Sequence, residues 1–329
     1  MINKSVKVGV IGTGHLGSHH VKHFSKINEA TLIGIFDIDQ TRSKEIAKKN
    51  NTKSFSTLKA LIEKTDAVSI VTPTESHAII ALKCINSGKH VFVEKPMTKT
   101  ISEADDLIIS AKKNNVILQV GHIERLNPAL IALKPYHVEP RFIEIQRLAP
   151  YQSRGSDIPV VLDLMIHDID IILSIIQSKV ESIKATGLSI LTNSIDIANA
   201  RIQFENGAVA SMTSSRIAKN KIRKVKIFQN KLYSTIDLLL GLTEIYQIKS
   251  YTKERLKSST NFLFEFDNKK KIISYKKPII KKEDALKMEL INFINSVMGK
   301  DTPIVNGFDG REALKVAIQI QDSIMKDLK

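Results

Sequence analysis

The stretch "VGVIGTGHLGSHH", Val8 to His20, decides how the first half of the chain folds. An apolar run breaks at Gly12, and Gly12, Gly14 and Gly17 follow in G-x-G-x-x-G spacing as a helical pattern begins. Glycines at the end of a strand permit a tight turn and close backbone approach, so the next helix N-terminus can meet a pyrophosphate. Thr13, His15 and Leu16 fill the loop between them. Asp37 closes the next apolar strand, "TLIGIFD", 20 residues beyond Gly17, where a carboxylate grips ribose hydroxyls. An acid there repels a 2′-phosphate and favours NAD over NADP. Asp39 and Arg42 work against that preference, since Arg stacks on adenine or binds phosphate. His19 and His23 stand four apart on the helix, but no third ligand is near, so a metal is not expected.

Working outward, apolar runs alternate with amphipathic segments as far as about Val120. The strand candidates are "VKVGVI", "TLIGIF", "AVSIVT", "HVFVE" and "VILQV". Between them lie helical patterns such as "ESHAIIALKCINSG", closed by Gly88, and "SEADDLIISAKKN", opened by Ser102. Strands apolar along their whole length and joined by helices imply a doubly wound parallel sheet covered on both faces, a Rossmann fold. After Gly121 a candidate helix at Asn127–Leu133 is followed by strands crowded in sequence, from "RFIEIQRL" to "KKIISYK", and Asn206-Gly207 marks a hairpin between alternating runs. The expectation is a Rossmann domain at 1–121 and an α+β domain at 122–329 on a large, mainly antiparallel open sheet. Two closing helices, near 282–298 and 310–327, can pack back on the first domain.

Composition narrows the function. The single Cys84 cannot form an internal disulfide, which suits a reducing, cytoplasmic compartment. The N-terminus has neither a signal peptide pattern nor a spanning run. A net charge of +15 raises nucleic acid as a partner, but the lysines are spread along the chain and Trp is absent, so stacking platforms are scarce. A solvated basic surface, then an anionic small molecule, rank ahead of nucleic acid; no membrane partner is expected.

The segment "VVLDLMIHDIDIIL", Val160 to Leu173, sets Asp163, His167, Asp168 and Asp170 among apolar residues. Burying carboxylates is costly, so they form a structural network, a metal site or an acid–base set. On a helix, Asp163, His167 and Asp170 make one polar stripe, while Asp168 lies off it and caps or pairs elsewhere.

The pieces "GVIGTGHLG", "VTPTESHAIIALKCINSGKHVFVEKPM", "VGHIERLNP" and the segment above occur in an order that resembles the Gfo/Idh/MocA oxidoreductases over essentially the whole length. That resemblance implies a catalytic lysine, Lys95 in "EKP", beside the nicotinamide of NAD, and an Asp–His pair four apart, Asp163 and His167. Thr72, Pro73, Thr74, His77 and Glu94 would border the cofactor. Gln119, Gly121 and Arg125 would line the cleft. Within the family, the chain looks like the branch that oxidises the C3 hydroxyl of UDP-N-acetylglucosamine to a ketone, which an aminotransferase then converts to an amine for lipid A or surface polysaccharide. Val160 and Val161 stand where glycines are common, and Leu126 where the branch has Phe. An anionic substrate suits Arg125, Arg147, Arg154 and Arg216, with Tyr151 and Asn199 facing uracil or sugar. The alternatives are a dehydrogenase of the uronic acid sugar, an inositol or a simple sugar, and an NAD-responsive regulator without catalysis. The open sheet implies a homodimer or homotetramer.

Overall fold

The structure is a computed structural model and describes residues 5–152 and 158–327. Its strands are β1 (Val6–Ile11), β2 (Ala30–Phe36), β3 (Ala67–Ile70), β4 (His90–Glu94), β5 (Leu118–Gly121), β6 (Phe142–Leu148), β7 (Val180–Leu188) and β8 (Ile197–Phe204). They continue with β9 (Val209–Ser215), β10 (Ile222–Gln229), β11 (Leu232–Asp237), β12 (Leu242–Ser250), β13 (Asn261–Phe266) and β14 (Lys269–Lys276). Helices α1 (His15–Phe24), α2 (Gln40–Lys49), α3 (Leu58–Lys64), α4 (His77–Asn86) and α5 (Ile101–Lys113) alternate with the first five strands. Then come α6 (Pro128–Ile131), α7 (Ile166–Ile175), α8 (Lys253–Leu256), α9 (Ala285–Val297) and α10 (Gly307–Asp327).

Two compact units result, one of residues 1–126 and 284–315, the other of 127–283 and 316–329. In the first, β2-β1-β3-β4-β5 form an all-parallel sheet. Val8, Val10 and Ile35 from the sheet, Val21 and Phe24 from α1, and Leu290, Phe293 and Ile294 from α9 share one core. Full burial of a side chain such as Phe293 is worth roughly 1.5–3 kcal/mol, so α9 is an integral layer of this unit. Helix α5 is capped at Thr100, two residues before the Ser102 expected from sequence. Thr100 accepts the Glu103 amide, and the Glu103 carboxylate accepts the amides of Thr100 and Lys99, a reciprocal cap that Ser102 lacks.

The second unit carries a nine-stranded sheet in the order β13-β14-β12-β11-β10-β6-β9-β8-β7. Its pairs are antiparallel except β6 with β9, which run parallel. The β8–β9 turn forms where Asn206-Gly207 predicts it, with Gly207 at φ +78°. Alternation sorts the faces: Ile143, Ile145, Val225 and Ile227 are buried, whereas Phe142, Phe228, Tyr233, Tyr246 and Tyr275 stack in a row across five strands on the opposite face. The candidate helix at 127–133 is reduced to α6, one turn capped by Asn127.

Candidate active site

The dinucleotide cradle is built from β1, the glycine loop and α1. Gly12 sits at φ +89°, and a Cβ there would lie 2.5 Å from the Val71 carbonyl oxygen; one on Gly17 would lie 2.1 Å from the Gly12 carbonyl oxygen. Only glycine permits this packing of loop against helix. A Cβ on Gly14 would meet nothing within 4 Å, and α1 starts there with no side-chain cap. The open space at Gly14 thus lies at the positive end of the α1 dipole, which fits a pyrophosphate.

Asp37 behaves differently from the sequence expectation. One carboxylate oxygen accepts the Thr13 amide (2.6 Å) and hydroxyl (2.8 Å). The other accepts the Asp39 amide (2.9 Å) and an Arg42 Nη2 proton (2.9 Å). A carboxylate offers about four acceptor positions, so this one is filled from within the chain. Burial alone would raise its pKa, but these donors outweigh it and hold the pKa below the usual value. Asp37 thus ties the glycine loop to the β2 end, and a ribose hydroxyl reaches it only by displacing a donor such as half-exposed Arg42. Asp39 caps α2 through the Arg42 amide. With Arg42 charge-paired to Asp37, little attraction remains for a 2′-phosphate, in keeping with NAD.

Thr72, Pro73 and Thr74 follow β3, and Ser76 bonds the Thr72 hydroxyl. His77 lies beneath them, 1% exposed, with Nδ1 2.9 Å from the Pro96 carbonyl oxygen and Nε2 2.8 Å from that of Thr72. Burial pushes its pKa down. It braces the Thr72 loop against the "EKP" loop rather than facing outward. The Lys95–Pro96 bond in that loop is cis, and Lys95 is part exposed at the carboxyl end of β4.

Beside Lys95 lies a residue that sequence reasoning missed. His20 is fully buried, with Nε2 3.1 Å from Glu94 Oε1 and Nδ1 2.9 Å from the Ser69 hydroxyl. The other Glu94 oxygen accepts the Lys95 amide at 3.2 Å, and a Cβ on Gly121 would lie 2.9 Å from that carboxylate. Helix α1 thus reaches the Lys95 backbone through two side chains. Gly17, His20, Val21 and Phe24 share the buried face of α1, and that spacing was the available signal. His19 packs edge-on against His15, and His23 lies 3.4 Å from Asp284. Gln119 is buried and donates to the Glu289 carbonyl oxygen of α9. Arg125 donates to the Ile304 carbonyl oxygen and lies 3.6 Å from Asp309, so its own unit engages it.

In the second unit the acidic segment begins with a π-helical turn, Val161–Met165, before α7. The wider turn sorts its ionisable groups: Asp163 and His167 are part exposed, whereas Asp168 and Asp170 are fully buried. The three-residue stripe therefore reduces to two reachable groups. Asp168 pairs elsewhere, as expected. Arg147 Nε lies 2.9 and 3.0 Å from its two oxygens and Nη2 2.7 Å from one, with both side chains nearly inaccessible. Arg216 donates through Nη2 to the Ile158 carbonyl oxygen and lies 3.9 Å from Asp196. Asn199 corrects the sequence reading. It pairs in register with Thr213, to which it donates, and so projects from the opposite sheet face to Arg147, away from Asp163. Tyr151 is 45% exposed, and Arg154 falls outside the described residues. Among the described residues, no helix is long and apolar enough to cross a membrane.

Comparison with known proteins agrees with this layout. Residues 6–122 match the oxidoreductase family model with an NAD-binding Rossmann fold, and residues 146–231 match the Gfo/Idh/MocA C-terminal domain. The chain is 32% identical to UDP-N-acetylglucosamine 3-dehydrogenase of Acidithiobacillus ferrooxidans over 97% of each protein. It is 27% identical to myo-inositol 2-dehydrogenase of Thermotoga maritima over 97% of this chain and 96% of that protein. The solved structure of the Acidithiobacillus enzyme superposes over the full length of both chains with a TM-score of 0.89. A glycine cradle suited to a pyrophosphate, a lysine at a sheet end and end-to-end likeness to sugar dehydrogenases make the chain a member of the Gfo/Idh/MocA oxidoreductases, an NAD-dependent sugar dehydrogenase.

Proposed function

We propose that the protein oxidises the C3 hydroxyl of UDP-N-acetylglucosamine to the 3-keto sugar. The observation that carries this reading is the end-to-end likeness to an enzyme named for that reaction. When bound, NAD supplies the hydride acceptor. The protein's part is to hold the sugar carbinol and manage one proton. His167, part exposed, takes the hydroxyl proton as general base, a role for which an imidazole is suited. Lys95 donates a hydrogen bond to the oxygen as alkoxide charge develops. Asp163, the other reachable acid of the segment, orients His167. Gly12, Gly14 and Gly17 with the first-turn amides of α1 hold the pyrophosphate, while Thr72, Pro73 and Thr74 border the cofactor.

The 3-keto product is a substrate for an aminotransferase, which places the enzyme ahead of amino-sugar formation, in the cytoplasm where nucleotide sugars arise. The second unit's sheet supports self-association into a dimer or tetramer. Its aromatic row and the edge strand β13, with Phe262 55% and Phe266 74% exposed, leave much apolar surface to cover. Sedimentation at micromolar concentration checks that point, and a monomer there contradicts it.

The test of function is NADH formation with a panel of UDP-N-acetylglucosamine, its uronic acid, free N-acetylglucosamine and myo-inositol, with an aminotransferase to draw off product. Turnover confined to UDP-N-acetylglucosamine is expected. Faster turnover of myo-inositol would favour the activity named for the Thermotoga relative.

A further inference from the structure

We propose that His20 and Gly121 are positioning residues for Lys95, together fixing the Glu94 carboxylate that holds the Lys95 backbone, an inference that rests on the catalytic role given to Lys95 above. Strand β4 ends at Glu94, whose register partner is Gly121 at the end of β5, so Lys95 is the first residue past the ladder. A chain leaving a strand is more mobile than the strand itself unless other groups hold it. Glu94 supplies such a hold: its Oε2 accepts the Lys95 amide at 3.2 Å. The other oxygen lies 3.1 Å from His20 Nε2, and His20 Nδ1 lies 2.9 Å from the Ser69 hydroxyl on β3. A carboxylate only accepts, so the neutral ring carries its proton on Nε2 and takes the Ser69 hydroxyl as donor to Nδ1. The hydrogen bonds thus run from β3 through α1 to the backbone of the lysine.

These polar groups sit in apolar surroundings, where burying them is costly. Val91, Phe92 and Val93 of β4 are fully buried, and the Phe92 ring lies 5.5 Å from that of His20. His20 and Ser69 are themselves fully buried, and Glu94 is 8% exposed. The sheet does not need them, since β3, β4 and β5 pair through their backbones. Apolar side chains of similar volume stabilise a core about as well as a buried ion pair. What the polar set adds is a fixed place for one peptide. The fit around the carboxylate is close: a Cβ on Gly121 would lie 2.9 Å from the Glu94 carboxyl carbon and from both of its oxygens. Gly121 has no positive φ, so its missing side chain answers to space rather than to backbone conformation. On the other side of Lys95, His77 Nδ1 lies 2.9 Å from the Pro96 carbonyl oxygen. Gly121→Ala therefore displaces the carboxylate, the movable end of a side chain, while every buried polar group stays in the protein.

The test compares full-length wild type with Gly121→Ala, His20→Gln and Lys95→Ala. Three quantities are measured: kcat and KM with NAD and UDP-N-acetylglucosamine, NAD affinity by titration, and hydrogen exchange by mass spectrometry on peptides spanning Lys95. A misplacement of about 1 Å costs on the order of 100-fold in rate, so kcat of Gly121→Ala should fall about 10- to 100-fold. Its KM values, NAD affinity and Tm should stay close to wild type. The Lys95 amide should exchange faster in that variant, with the rest of the first unit unaltered. His20→Gln, whose amide can still donate to Glu94, should lie between Gly121→Ala and wild type in both readouts. The proposal is overturned if the Lys95 amide exchanges at the wild-type rate in Gly121→Ala, or if that variant turns over like wild type while Lys95→Ala is inactive. Exchange raised throughout the first unit in both variants, with Tm falling, makes the two residues structural and overturns it as well. Normal turnover by Lys95→Ala overturns the catalytic reading of Lys95, and with it any positioning role in catalysis. If wild type leaves UDP-N-acetylglucosamine unoxidised, the substrate reading falls and the exchange measurement alone decides.

Discussion

Replacing Asp168 by Ala should unfold the second unit far more readily while leaving the first unaffected. The Arg147 side chain is 2% exposed and that of Asp168 1%, and three contacts of 2.7–3.0 Å hold them together. Removing the carboxylate takes away this charge partner of a buried guanidinium, which costs about 3–5 kcal/mol. Against a domain stability of about 5–15 kcal/mol, that is a large share. For a unit of this size it corresponds to a drop of roughly 6–20 °C in Tm. The assay follows from composition: the chain has no Trp, and its six tyrosines, at 136, 151, 233, 246, 251 and 275, all lie between residues 127 and 283. Tyrosine fluorescence during urea unfolding therefore reports the second unit alone. The double variant Arg147→Met with Asp168→Leu removes both charges, and should recover most of the loss, because a buried ion pair is about matched by apolar side chains of similar volume. A loss below about 1 kcal/mol in Asp168→Ala, or a double variant weaker than the single, would refute the reasoning. An Asp168→Ala protein that unfolds like wild type but does not turn over would make Asp168 a catalytic group instead.

Gly12→Ala forces a Cβ to 2.5 Å from the Val71 carbonyl oxygen at φ +89°, so NAD affinity should fall at least tenfold, and the first unit should lose about 1–3 kcal/mol; unaltered NAD titration contradicts this. His20→Ala leaves the nearly buried Glu94 carboxylate without its imidazole partner, and about 1–3 kcal/mol of stability should go with it. Because Glu94 also holds the Lys95 amide, kcat should fall more than KM rises, and His20→Gln should recover part of it. Asp196 is buried, which alone would raise its pKa, but the Thr192 hydroxyl and the amides of Thr192, Ile190 and Leu191 bring it from 3.8 down to about 2. A folded value below the unfolded one contributes stability that is full above about pH 4 and is lost as pH falls towards 2. Asp196→Asn should thus cost about 2 kcal/mol at neutral pH and flatten that acid limb, measured by urea unfolding at stepped pH.

The strands were legible because their hydrophobic pattern matches their burial. β1, β3 and β4 are apolar along most of their length and lie almost wholly buried inside a parallel sheet, and β8 alternates with one face in and one out. Side-chain partners were less legible. Arg147 and Asp168 lie 21 residues apart, and nothing local announces that they meet. The π-helical turn at Val161–Met165 has no sequence period of its own, so a regular helix predicted a three-residue stripe where only Asp163 and His167 are reachable. Asp37 was found by spacing, but spacing does not tell that Thr13, Asp39 and Arg42 already fill its lone pairs. The Thr100–Glu103 cap was readable in the sequence as T-x-x-E, and Ser102 drew attention from it. Asn199 failed on a parity of one residue, enough to move a strand side chain to the other face.

The most direct measurement uses UDP-N-acetylglucosamine carrying deuterium at C3, with NAD and the wild-type enzyme. The expected result is a primary isotope effect on the hydride step, deuterium recovered in the reduced nicotinamide, and loss of turnover in Lys95→Ala and His167→Asn with NAD binding intact. Deuterium retained in the sugar product, or normal turnover by either variant, would contradict oxidation at that carbon by those side chains.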